Sequence, residues 1–128
     1  MTIAYLDTSA AMKLLVQEVE SAALAEELSG GGYELVASWL LHTELHCAAG
    51  RNPAAIPTTS VRTLLDAVTL IDVTRGDFLA AGTHTPLRAG DAIHLATALR
   101  VGADTIVTYD AELASAGEVA GVRITAPG

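Results

Sequence analysis

Short apolar runs alternate along this chain with longer stretches whose apolar residues recur at helical spacing, and this alternation leaves few folds open. Residues 2–6 read as a buried strand, and Asp7, Thr8 and Ser9 then offer capping side chains to a helix that turns Ala11, Leu14, Leu15 and Val16 inward. The pattern predicts a second helix over Glu18 to Leu28, stopped by Gly30, Gly31 and Gly32, and a second strand over Leu35 to Ala37. Those glycines follow a helix and precede a strand, so they mark a turn; glycines that cradle phosphate sit between strand and helix. Trp39 to Ala49 and Ser60 to Val68 predict helices separated by a break near Asn52 and Pro53, with a strand over Leu70 to Val73. A short helix starts at Thr74 or Asp77 and ends near Gly82, a loop with Pro86 spans Thr83 to Gly90, and Asp91 opens a helix through Arg100. Thr105 to Thr108 reads as a fourth strand, Ala111 to Ala116 as a short helix and Val122 to Thr125 as a fifth strand. Strands joined through helices pair in parallel, with helices over both faces of the sheet. The expected class is α/β, in three α/β/α layers around a mostly parallel sheet of about five strands.

At 128 residues and 51% hydrophobic content, the chain is expected to form a single domain, 1–128, that buries its own core. The lone cysteine, Cys47, provides no disulfide framework, which suits a reducing cytoplasm. The first apolar run is broken by Asp7 and lacks a basic leader, and no run approaches the roughly 20 apolar residues of a membrane span. A formal net charge of −8 argues against a broad basic face that grips nucleic acid nonspecifically. It leaves a nuclease open. Clustered site acids would be offset by Mg²⁺ or Mn²⁺, and Arg51, Arg75, Arg88 and Arg100 could supply local phosphate contacts; the acidity also suits a basic protein partner.

Four acids stand apart from the rest: Asp7 after IAYL, Glu44 in the helical stretch SWLLHTELHCAA, Asp91 at the start of DAIHLATALR, and Asp110 after TIVTY. In open parallel sheets ligands bind beyond the carboxyl ends of the strands, where strand order reverses. Asp7 and Asp110 lie at that edge if their strands are neighbours. Asp7 and Asp91 could each be a helix cap and Asp110 a turn residue. Glu44 is different, because it shares a helical face with Leu40, Leu41 and Ala48, and a covered carboxylate needs a hydrogen-bond partner or a metal. Scattered acids that converge make a metal site, and together these point to a divalent-cation phosphodiesterase. Asp72 and Asp77 are candidates for outer positions.

Other chemistries fit less well. His42 and His46, four apart on a helix, suggest zinc, but Glu44 lies about 200° around the helix from each, away from their shared face. A phosphoaspartate phosphatase would have a second acid where Ser9 stands. A receiver domain needs a lysine after its last strand, and the only lysine is Lys13. A binding module that has lost catalysis is disfavoured because all four acids are present.

The segments YLDTSA, SWLLHTELHCA, LRAGDAIHLATA and IVTYDAEL, in this order and spacing, resemble the PIN-domain ribonucleases, and most closely their VapC toxin branch, over essentially the whole chain. The resemblance implies a PIN-like fold and an endoribonuclease acting on single-stranded or structured RNA. It further implies neutralisation by a VapB-type antitoxin and a homodimer that brings two sites to one groove. It makes Asp7, Glu44, Asp91 and Asp110 the acidic metal-binding set and Thr8, Ser9 and Thr108 its flanking hydroxyls. Asp7, Asp91 and Asp110 are then expected to contact one or two Mg²⁺ or Mn²⁺ ions, directly or through water, with Glu44 completing the site or orienting the attacking water. Arg51 and Arg88 are the candidate RNA phosphate contacts, and Asn52 to Thr59 and Thr83 to Arg88 the variable rims. His94, one turn beyond Asp91 with Leu95 beside it, reads as a packed helix histidine rather than a base.

Overall fold

Ala4, Tyr5 and Leu6 have no exposed surface, as a strand requires when helices cover both faces of its sheet. They belong to β1 (Thr2–Leu6) of a computed structural model that describes residues 1–128. The chain continues through α1 (Thr8–Leu15), α2 (Ser21–Gly30), β2 (Tyr33–Ser38), α3 (Trp39–Arg51), α4 (Thr58–Asp66) and β3 (Thr69–Ile71). It ends with α5 (Arg75–Ala81), α6 (Ala89–Arg100), β4 (Thr105–Val107), α7 (Ala111–Val119) and β5 (Arg123–Thr125). The five strands pair in parallel in the order β3-β2-β1-β4-β5. Strand order therefore reverses at β1, whose Leu6 lies level with Val107 of β4. The residues that follow these two strands emerge side by side at the sheet's carboxyl edge, and the Asp7 N–H donates to the Val107 carbonyl at 3.1 Å.

Because side chains alternate across a strand, β1 feeds both layers. Ala4 and Leu6 pack with Ala10, Leu24, Leu41, Leu45 and Val61 from α1 to α4. Tyr5 faces the other way, into Leu95, Ala98, Ile106 and Leu113 beneath α6 and α7. No helix is long and apolar enough to cross a membrane.

The element order follows the pattern in the sequence, and the differences lie at boundaries. Glu18 and Glu20 precede α2: the Glu18 N–H donates to Ser21 Oγ, and Lys13 bridges both acids at 2.6 and 3.0 Å. α4 starts at Thr58, and β3 closes at Ile71 because pairing with β2 ends at Ser38. Asp77 is spent on structure rather than on an outer position of the site. It forms a capping box with Thr74 and takes Arg100 Nε at 2.8 Å, while Arg100 also donates to the Asp72 carbonyl. Arg100 is thus committed to an ion pair that holds α5 to α6 and is not free for phosphate.

Candidate active site

Asp7 caps α1 and is buried, and its two oxygens are used differently. Oδ2 accepts from Ser9 Oγ and Thr108 Oγ1, both at 2.7 Å, and from the Ser9 N–H at 3.3 Å. Each hydroxyl has one proton and spends it on Oδ2, so its lone pairs are left to accept. Ser9 Oγ takes the Tyr109 N–H at 2.9 Å and Thr108 Oγ1 the Asp110 N–H at 3.0 Å. The clamp leaves Asp7 Oδ1 pointing at the site, 3.9 Å from His94 Nε2. Thr108→Val keeps the shape but strands the Asp110 N–H and removes one donor from Asp7. We expect it to lower unfolding free energy by about 1–3 kcal/mol in urea titrations; a change under about 0.5 kcal/mol would show that the clamp is dispensable.

Asp110 caps α7 with Oδ1, which accepts the Leu113 N–H at 2.9 Å. Asp91 lies in the first turn of α6. Its carboxyl is pushed up to about 6, first by burial and then by the charges of Asp110 and Asp7; His94 opposes this, and Glu44 adds the smallest push upward. All four sequence-predicted acids therefore act on one locus, drawn from four segments around the switch point. Glu44 is half-buried on α3 and bonded rather than orphaned: Oε1 accepts from Thr8 Oγ1 and from His94 Nε2, each at 2.6 Å. Burial pushes the Glu44 carboxyl up, but the His94 and Thr8 hydrogen bonds outweigh it and hold it below the usual carboxylate range.

His94 is buried, as a packed helix residue should be, but it also belongs to the site. Its Nδ1 lies 2.7 Å from the fully buried Tyr5 hydroxyl, which itself receives the Ser38 N–H at 3.2 Å. Burial also raises the Tyr5 phenol. Sequence reasoning missed Tyr5 altogether and set His94 aside. The available signal was that His94 shares a helical face with Asp91, three residues earlier.

The donor set suits a hard divalent cation. Every candidate ligand is a carboxylate oxygen, and mutual repulsion around Asp91 is what a cation relieves. The side chains as they stand do not bring three His, Cys, Asp or Glu groups together tightly enough to hold a metal ion. At the zinc alternative, the His42 and His46 rings stack at 4.2 Å and His46 Nδ1 bonds the His42 carbonyl, with no third ligand. Arg51 lines a groove of about 350 Å³ with Thr8, Met12, Thr43, Glu44, Cys47 and Ala48. Arg88 precedes α6 and is exposed. Neither arginine forms an ion pair; the paired cations are Lys13, Arg100 and, when protonated, His94.

A three-layer α/β/α fold with a five-stranded parallel sheet and acids at its switch point is shared by several families, and comparison with known proteins specifies which. The sequence matches the PIN domain over residues 4–119, and the chain belongs to the PIN-domain family. It is 39% identical to Ribonuclease VapC35 of Mycobacterium tuberculosis, with 97% of this chain and 96% of that protein aligned. Ribonuclease VapC47 of the same organism is 36% identical over the same shares. Among solved structures, a toxin-antitoxin complex from Klebsiella pneumoniae matches with a TM-score of 0.73 at 18% identity, covering 98% of each chain. VapC20 of Mycobacterium tuberculosis, a Sarcin-Ricin loop cleaving toxin, matches at 0.72 and 15% identity over 89% of this chain and 95% of that one.

Proposed function

We propose that this protein is a metal-dependent endoribonuclease that hydrolyses RNA phosphodiester bonds. In this reading it is the toxin of a type II toxin–antitoxin pair, cytoplasmic and neutralised by a VapB-type antitoxin. The observation that carries the reading is the approach of Asp7, Glu44, Asp91 and Asp110 to one edge, where burial first and then the charges of Asp110 and Asp7 raise the Asp91 carboxyl. The ribonuclease relatives of full length support it.

Asp7, Asp91 and Asp110 would hold one or two Mg²⁺ or Mn²⁺ ions, and such an ion supplies Lewis-acid charge beside the scissile phosphate. The protein's own residues set the geometry. Ser9 and Thr108 fix Asp7 so that one oxygen is offered. Glu44, with Oε1 already bonded, keeps Oε2 to orient the attacking water or complete the metal set. Arg51, on the groove beside Glu44, and Arg88 are placed to meet flanking phosphates. The Thr83 to Leu87 loop and α7 enclose a groove of about 820 Å³ next to Arg88 and Asp110 in sequence, a rim for substrate. Phe78 and Leu79 of α5 are 56% and 66% exposed, apolar surface that a homodimer would cover.

Purified protein incubated with total cellular RNA should yield discrete fragments with Mg²⁺ or Mn²⁺ and none with EDTA. Asp91→Asn should yield none under either condition. Cleavage that survives EDTA, or that Asp91→Asn leaves intact, would remove the metal-carboxylate reading.

A further inference from the structure

A histidine that merely filled space in α6 would have no need to aim both ring nitrogens at polar partners, yet His94 does. The Tyr5 hydroxyl has no exposed surface and already receives the Ser38 N–H, so its own proton has one acceptor, His94 Nδ1 at 2.7 Å. Nδ1 is therefore unprotonated and the ring proton sits on Nε2, where it donates to Glu44 Oε1 at 2.6 Å. The ring meets Tyr5 edge to face, at 5.6 Å and 69°, which fixes its plane. Thr8 Oγ1 donates to the same carboxylate oxygen. On the other side, a Cβ added at Gly90 would lie 3.3 Å from Glu44 Oε2. Glu44 is thus bracketed: α6 supplies a donor to one oxygen and, one turn earlier, an open glycine beneath the other.

We propose that His94, locked in its Nε2–H form by Tyr5, is a positioning residue that holds Glu44 in one orientation, with Oε2 directed at the first turn of α6 beside Asp91. The proposal rests on Glu44 belonging to the metal-binding set. It assigns His94 no contact with substrate. Partners that orient a metal's carboxylates typically change affinity or activity by about 10–100-fold when removed.

Two measurements test it. In the metal-free wild-type protein, long-range ¹H–¹⁵N correlation of the imidazoles should show the His94 proton on Nε2; a proton on Nδ1 overturns the proposal without any variant. Calorimetric titration of Mn²⁺ is then compared across wild type, His94→Leu, His94→Gln and Asp91→Asn. His94→Leu should bind Mn²⁺ about 10–100-fold more weakly and lower kcat for RNA, with KM within about threefold of wild type. His94→Gln, which keeps an N–H donor, should recover most of both losses. Wild-type Mn²⁺ affinity in His94→Leu, or no recovery in His94→Gln, overturns the proposal. Should His94→Leu not fold, the imidazole correlation in the wild-type protein decides alone. The underlying assignment is tested separately. Wild-type Mn²⁺ binding by Asp91→Asn would defeat the metal-site reading, whereas loss in Asp91→Asn with none in His94→Leu would defeat the positioning role alone.

Discussion

Asp7→Asn is expected to reduce RNA cleavage by on the order of 10²–10³-fold while the protein remains folded, because in the proposed mechanism several kcal/mol of charge stabilisation would depend on that carboxylate. The substitution is a clean one at this position. The asparagine carbonyl can take the place of Oδ2 and accept from Ser9 Oγ, Thr108 Oγ1 and the Ser9 N–H, so the clamp survives. Its amide then stands where Oδ1 faces the site, offering protons where a cation wants a lone pair. Initial rates on a short RNA, with folding checked by near-ultraviolet circular dichroism, decide the matter. A folded variant cleaving within a few-fold of wild type would take Asp7 out of the chemistry.

The second large effect is thermal. Mn²⁺ at about 100 times its Kd should stabilise the protein by about 2.7 kcal/mol, which in a chain of this size raises Tm by about 10 °C. The sign of its pH dependence follows from Asp91, whose carboxyl is raised to about 6. A raised acid binds its proton more tightly folded than unfolded, so its contribution to metal-free stability is present below the ordinary aspartate range and lost as pH rises through about 6. Metal must displace that proton at pH 5 but not at pH 7.5, so the Mn²⁺-induced shift should be smaller at pH 5. Asp91→Asn should lose the shift. In EDTA it should instead be more stable than wild type at pH 7.5, by about 1 kcal/mol once solvent screening of a half-exposed group is allowed for, and equal to it near pH 4. Equal Mn²⁺ shifts at both pH values would refute the coupling.

Alternation of strand and helix, and the placing of Asp7, Asp91 and Asp110 at element ends, could be read from sequence because both depend on local pattern. The parallel sheet follows from the alternation. What depended on tertiary neighbours could not be read. Nothing near Arg100 in sequence announces Asp77, 23 residues earlier, as its partner. The covered face of Glu44 was apparent, but its hydrogen-bond partners, Thr8 and His94, lie 36 and 50 residues away. Tyr5 looked like any aromatic in a buried strand, and only the sheet's two-sidedness shows that its hydroxyl reaches α6. Element ends moved for similar reasons: β3 stops where its neighbour stops pairing.

The chain of bonds from the Ser38 N–H through Tyr5 and His94 to Glu44 returns to its origin, since Ser38 caps the helix that carries Glu44. Covalent backbone and hydrogen bonds together close a ring through β1, α3 and α6. Fraying at the start of α3 would have to break a buried phenol's contacts as well as its own cap, so the Ser38 amide should not open in local fluctuations. In native-state hydrogen exchange it should belong with the slowest amides, exchanging only when the whole protein unfolds. The edge that carries Glu44 and His94 would then share the lifetime of the core.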